Sequence, residues 1–109
     1  MATSSASYNS GYTNGRGYFK TFSISAKGSQ TATTNISIID CSNYQALSAS
    51  NVKVGVTDVS ANDHSWVSWR ITVAVAGYNP NSGIVTVQVW SSENAESVIN
   101  FNGFVAVVK

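Results

Sequence analysis

Residues 66–90, WVSWRITVAVAGYNPNSGIVTVQVW, decide the fold. Large apolar residues occupy every second position on both sides of the turn segment GYNPNS at residues 77–82. A period of two is typical of a β-strand with one face in the core. The expected inward positions are Val67, Trp69, Ile71, Val73 and Val75 in the first strand and Val85, Val87 and Val89 in the second. The stretch therefore predicts a β-hairpin, with Tyr78 and Trp90 at opposite ends of its second strand.

The composition extends this interpretation to the whole chain. It contains 14 Val and 7 Ile among 109 residues, against a single Leu. Side chains branched at Cβ fit a pleated surface, whereas helical cores are usually built with Leu and Ala. Apolar alternation recurs in short segments separated by turn residues, whereas residues 40–50 are expected to form a loop, with a short strand around residues 45–47 as a further option. The sequence predicts an all-β protein, a single antiparallel β-sandwich of six to seven strands.

The first 17 residues differ from the rest. They are rich in Ser, Asn, Gly and Tyr and offer little apolar surface to bury. We expect residues 1–17 to form a flexible arm and residues 18–109 to form the sandwich domain. The tyrosines Tyr8, Tyr12 and Tyr18 leave two interpretations open, plain disorder or docking on a neighbouring subunit.

The last strand predicts association. Ile99, Phe101, Gly103, Val105 and Val107 share its inward phase. Phe104, Ala106 and Val108 in the other phase are apolar as well. A strand that is apolar on both faces is usually covered on both faces. We expect a homo-oligomer in which another copy of the chain covers the second face.

Several functional classes are disfavoured. Only 10% of the residues are charged and the net charge is +1, which argues against nucleic acid as a partner. No apolar run is long enough for a membrane span, and the N-terminus lacks the pattern of a signal peptide. The lone Cys41 has no partner for an intrachain disulfide and is expected to be buried.

Catalytic and metal-binding groups are scarce. His64 is the single histidine, and its neighbour Asp63 points the other way in an extended segment. Glu93 and Glu96 lie in a polar loop without an apolar pocket that would shift a pKa. We predict that the protein is not an enzyme and uses no cofactor and no metal.

The aromatic residues are the best candidates for a binding site. Trp69 shares the phase of Ile71 and is expected in the core, whereas Trp66 and Trp90 share the phase of polar residues. An indole beside hydroxyl and amide groups can pack on the C–H face of a sugar, and it can equally anchor a subunit interface. The candidate ligand-binding residues are Trp90, Ser91, Asn94, Tyr78, Trp66 and His64.

From Val52 onward the segments follow the order VKVGVTDVS, WRITVAVAGY, SGIVTVQVW and INFNGFVAVV, which is just over half of the chain. This order resembles the H-type lectin fold of snail agglutinins and discoidin C-terminal domains, and related knobs at the tips of bacteriophage tail fibres. The resemblance implies a trimer that binds an amino sugar through a Trp-His pair and an Arg from the preceding strand. Here the pair reads Trp90-Ser91 and the Arg position falls near Ala76, so Trp90 alone carries over. An immunoglobulin-like sandwich is the other interpretation, without the two-cysteine bridge of that family.

Two functions follow as hypotheses. The first is a non-enzymatic attachment module of a virion or similar appendage, synthesised in the cytoplasm without a signal peptide and trimeric. Its loops around Tyr78, residues 90–94 and residues 62–66 would contact a surface glycan. The second is a purely structural virion or filament subunit, a decoration or tail protein, whose N-terminal arm docks on other virion or appendage proteins.

Overall fold

The computed structural model describes residues 3–8, 17–61, 70–94 and 96–108. Within these ranges the chain forms strands and two short 3-10 turns but no α-helix. The strands are β1 Thr3–Tyr8, β2 Gly17–Lys27, β3 Ala32–Ser37, β4 Val52–Ala61, β5 Ile71–Asn79, β6 Ile84–Ser91 and β7 Val98–Val108. The prediction of an all-β protein is confirmed.

The strands form two antiparallel sheets. Sheet A has the order β1-β2-β7-β4, and sheet B has the order β3-β6-β5. One face of each sheet contributes to a single buried cluster, in which Ile24 and Phe101 of sheet A join Val85 and Val87 of sheet B. The arrangement is sandwich-like, and every second residue of the central strands β6 and β7 lies in the shared core.

The predicted inward positions agree with the observed burial. In β7 the five expected positions from Ile99 to Val107 are all buried, and Val85, Val87 and Val89 of β6 are fully enclosed. Cys41 is buried, as its predicted role as a small apolar residue requires. The alternation works as a predictor here because each sheet presents one face to the other and its opposite face to solvent.

The hairpin predicted from the opening stretch is formed by β5 and β6. Its turn closes with a hydrogen bond from the Gly83 amide to the Asn79 carbonyl at 2.8 Å, and Gly83 has a φ of 70°, which favours glycine. Ile71, Val73 and Val75 pack against the core as expected. The predicted core position of Trp69 lies outside the described residues.

The loop expected over residues 40–50 contains no strand, so the short strand considered at residues 45–47 is not formed. Tyr44–Ala46 forms a 3-10 turn instead, and Ala49–Asn51 forms a second one. Asn43 has a left-handed φ of 58°, and the amides of Ala46 and Leu47 donate to carbonyls three residues earlier. Local hydrogen bonds therefore replace the pairing that a strand would need, while Leu47 still reaches the core.

Part of the predicted arm has regular backbone structure. β1 pairs antiparallel with β2 along the edge of sheet A, from Thr3 opposite Ser25 to Tyr8 opposite Lys20. The division of the chain at residue 17 and the mobility of the arm stay predictions.

The outer face of sheet A has two halves. At one end the rings of Phe19 and Phe104 stack with centroids 5.3 Å apart, and Val108 is 55% exposed. We call Phe19, Phe104, Ala106 and Val108 the apolar patch. At the other end Ser23 donates to the Asn102 side chain at 2.6 Å, so that half of the face is polar.

Candidate functional site

The outer face of sheet B carries no charged residue, because none of its three strands contains one. Its side chains are those that alternate with the buried positions of each strand. They are Thr33, Asn35 and Ser37 of β3, Thr72, Ala74 and Asn79 of β5, and Ile84, Thr86, Gln88 and Trp90 of β6. We call this set the polar face. It offers hydroxyl, amide and indole groups in a weak electric field.

One end of the polar face is hollowed into an open cleft of about 430 Å³. The cleft lies where the β5–β6 hairpin turns. Its lining consists of Asn35, Gly77, Tyr78, Asn79, Ser82, Ile84 and Thr86. All of these side chains are neutral, and the space is large enough for a small polar group or a sugar ring.

The cleft presents hydrogen-bond donors. Asn35 accepts a bond from the Thr86 hydroxyl at 2.9 Å through Oδ1, and Asn79 accepts one from the Asn81 amide at 2.9 Å through Oδ1. These bonds fix the orientation of both amides and leave their NH₂ groups without a partner among the described residues. The Ser82 hydroxyl adds a further group at the rim. A ligand with several acceptor oxygens would match this arrangement.

A β-bulge shapes the cleft. The pairing of β5 with β6 shifts between Val75 and Gly77, so that Ala76 is an extra residue in β5. A Cβ placed on Gly77 would meet no atom within 4 Å. Because glycine has no side chain, the space at this position is part of the cleft and not of the core.

Tyr78 connects the cleft to the core. Its ring packs against the core cluster and its hydroxyl donates to the Tyr44 carbonyl at 2.7 Å. Burial, with Cys41 and Tyr44 nearby, raises the pKa of Tyr78. The hydroxyl is thus engaged, and the ring lies in the core-facing phase of Val85, so Tyr78 closes the cleft from the core side and its side chain is not a ligand contact.

Trp90 lies at the other end of the polar face. It is half-buried, stands opposite Thr72 of β5 and is in phase with Gln88, as the sequence predicted. Arg70 is exposed directly before β5, where its backbone exchanges hydrogen bonds with Ser92 at 3.0 Å. An arginine therefore stands just before β5, the strand that neighbours Trp90. The lectin resemblance suggested a position near Ala76 instead.

The predicted site residues after Trp90 face in other directions. Ser91 is only 1% exposed on the core side, and its Oγ has no hydrogen-bond partner among the described residues. Asn94 is exposed, but its Oδ1 accepts the Glu96 amide at 2.8 Å and shapes the loop between β6 and β7. Neighbouring residues of a strand point to opposite faces, so Trp90 and Ser91 do not converge on one ligand.

The predicted set therefore does not meet at one point. Tyr78 stands opposite Val85, whereas Trp90 is five residues further along β6, roughly 17 Å away at about 3.4 Å per residue. Trp66 and His64 lie outside the described residues. The involvement of these residues with a ligand stays a prediction.

The described part of the chain holds no cluster of three or more His, Cys, Asp or Glu residues that could bind a metal. In the same ranges, no helix has the length and apolar character needed to cross a bilayer.

No family model matches the chain, and neither the curated proteins nor the solved structures contain a significant match to it. The case for a function therefore depends on the residues and their geometry.

Most residues of the cleft give no signal in the sequence. Asn35, Asn79 and Thr86 come from three different strands and are unremarkable when read in order. One signal was present in the sequence: Gly77 interrupts the alternation between Val75 and Tyr78, which is a mark of a bulge or of close approach by another group.

Proposed function

We propose that the protein is a non-enzymatic attachment module that binds a surface glycan on the polar face of sheet B. The observation that carries this proposal is the open cleft, whose lining is entirely neutral and includes two oriented amides, on the same face of the sheet as the indole of Trp90. Neutral hydroxyl-rich ligands need oriented donors and acceptors together with an aromatic or apolar surface, and they gain little from charge. Sheet B supplies these groups on a single face.

A glycan array tests the proposal, with Gly77→Ala as the matched variant. The added methyl group meets no protein atom, so we expect the variant to fold normally and to bind less tightly because its cleft is smaller. Ser23→Ala, on the outer face of sheet A, serves as the control and should bind like the wild type. The proposal fails if no glycan binds, or if Gly77→Ala and Ser23→Ala bind equally well.

Within the same proposal the module belongs to a virion or a similar appendage and acts as a homo-oligomer, for which we favour a trimer. The apolar patch on sheet A supports association, because Phe19 stacks on Phe104 and stands opposite Ala106, and Val108 of the same face is exposed. Several copies would present several clefts, and multivalent attachment strengthens weak binding by single sites. Genes for tail or capsid proteins next to this gene would support the setting.

A purely structural subunit is the second candidate, and the apolar patch favours it as well. In that case the patch and the edge strand β1 would join copies or neighbouring appendage proteins without any glycan. Val108→Ser tests association without disturbing the fold. Because Val108 is exposed, the substitution should change the free energy of unfolding by less than about 0.5 kcal/mol. Sedimentation should show a smaller particle for Val108→Ser than for the wild type. Ordered polymers in electron micrographs together with an empty glycan array would favour the structural role.

A further inference from the structure

Four side chains of the polar face follow one line along the central strand of sheet B. Ile84, Thr86, Gln88 and Trp90 are alternate residues of β6 and therefore point to the same side. Ile84 and Thr86 belong to the cleft, and Trp90 ends the line. Trp90 lies four positions beyond Thr86 in β6, which is about 14 Å at about 3.4 Å per residue.

The surface between the cleft and Trp90 is open. Gln88 lies between Thr33 of β3 and Ala74 of β5, and all three residues are exposed. The side chains of Thr33 and Ala74 are short and neutral. An elongated ligand can therefore lie along β6 between the cleft and Trp90 without meeting a tall side chain or a charge.

The chemistry of this line fits a saccharide better than a peptide. A peptide that docks on a sheet gains most from backbone hydrogen bonds at an edge strand. The backbone of β6 is already paired with β3 on one side and β5 on the other, so recognition must come from side chains. Amide and hydroxyl groups along the line suit ring hydroxyls, and the indole suits the C–H face of a ring.

We propose that the polar face binds a linear neutral saccharide chain, with one ring in the cleft and a later ring on the indole of Trp90. The inference rests on the proposed function and names its ligand class: a chain of several sugar units. A single ring can contact the cleft or Trp90 but cannot span about 14 Å between them. The exposed Arg70 adds donors for hydroxyl groups at the Trp90 end.

Isothermal titration with neutral oligosaccharides of increasing length tests this inference. Maltose-type, cellulose-type and chitin-type oligomers are used, each from monosaccharide to hexasaccharide. In the series that binds, we expect the hexasaccharide to bind at least about tenfold more tightly than the monosaccharide, because the second contact is made within the same complex. Affinity should change little with salt concentration, since the saccharide itself carries no charge.

Variants at the two ends of the line identify the contacts. Trp90→Ala should weaken the hexasaccharide by about tenfold and remove the dependence on length, because the stacking surface is lost. Trp90→Phe keeps an aromatic ring and should retain part of the affinity. This variant shows whether the weaker binding of Trp90→Ala comes from the lost ring or from a folding defect. Gly77→Ala should weaken short and long oligomers alike, because it acts in the cleft.

The outcomes separate the inference from the proposed function. Equal affinity for monosaccharide and hexasaccharide, or an equal loss for both in Trp90→Ala, overturns the extended site while glycan binding stands. A salt-sensitive preference for acidic glycans, or binding of a peptide in place of a saccharide, overturns the neutral saccharide as ligand class. If no oligomer and no glycan on the array binds, the inference and the proposed function both fall.

Discussion

Replacing Gly103 by alanine should destabilise the protein by about 2 kcal/mol. Gly103 is buried in the middle of β7, opposite Phe22 of β2 and Val56 of β4. A Cβ at this position would overlap the carbonyl oxygen of Gly55 and would lie 2.8 Å from Cζ of Phe22. Overpacking costs about 1–3 kcal/mol, and the upper end applies because a backbone atom must move. The reduced entropy of the unfolded chain offsets about 0.4–1 kcal/mol of that cost.

Two other glycines provide controls for this prediction. At Gly55 a Cβ would lie 2.6 Å from the ring of Phe104, and that side chain can rotate on the outer face, so we expect a loss of about 1 kcal/mol. At Gly77 the space is open, so alanine should stabilise the fold by about 0.5 kcal/mol. Urea unfolding followed by circular dichroism measures all three, and the melting temperature of Gly103→Ala should fall by roughly 8 °C. A Gly103→Ala variant within about 0.5 kcal/mol of the wild type would refute the reasoning.

Three further predictions concern burial. Phe101→Ala, which empties a fully enclosed position, should lower the unfolding free energy by about 3–5 kcal/mol in the same urea assay. Tyr78→Phe removes the bond to the Tyr44 carbonyl and should cost about 1 kcal/mol at neutral pH. Because the pKa of Tyr78 is raised in the fold, the contribution of its hydroxyl to the unfolding free energy is complete below pH 10. That contribution is lost as the pH rises through the pKa of Tyr78 in the folded protein. The unfolding free energies of the wild type and Tyr78→Phe should therefore converge at alkaline pH. The Cys41 thiol should resist a disulfide reagent in the native protein and react on addition of urea; rapid reaction without urea would contradict its burial.

Much of the fold could be predicted from local patterns. The phases of β6 and β7 were correct because alternation reports directly on which face of a strand is buried. The 3-10 turn that includes residues 45 and 46 could not be predicted from the pattern of apolar residues. It depends on the left-handed conformation of Asn43 and on hydrogen bonds between residues three apart. Trp90 was placed correctly on the polar face, whereas Ser91, another candidate ligand residue, faces the core because neighbouring residues of a strand point to opposite faces.

The sequence by itself determined the β class, the phases of β6 and β7 and the scarcity of charge, since these follow from residue types at fixed short spacings. Only the tertiary structure decided that β6 is the central strand of its sheet, that Ala76 is the extra residue of a bulge, and that Asn35, Asn79 and Thr86 surround one cleft. These features depend on the pairing of strands far apart in the chain. Pairing of this kind is set by the packing of the whole core, and no short window of sequence contains it.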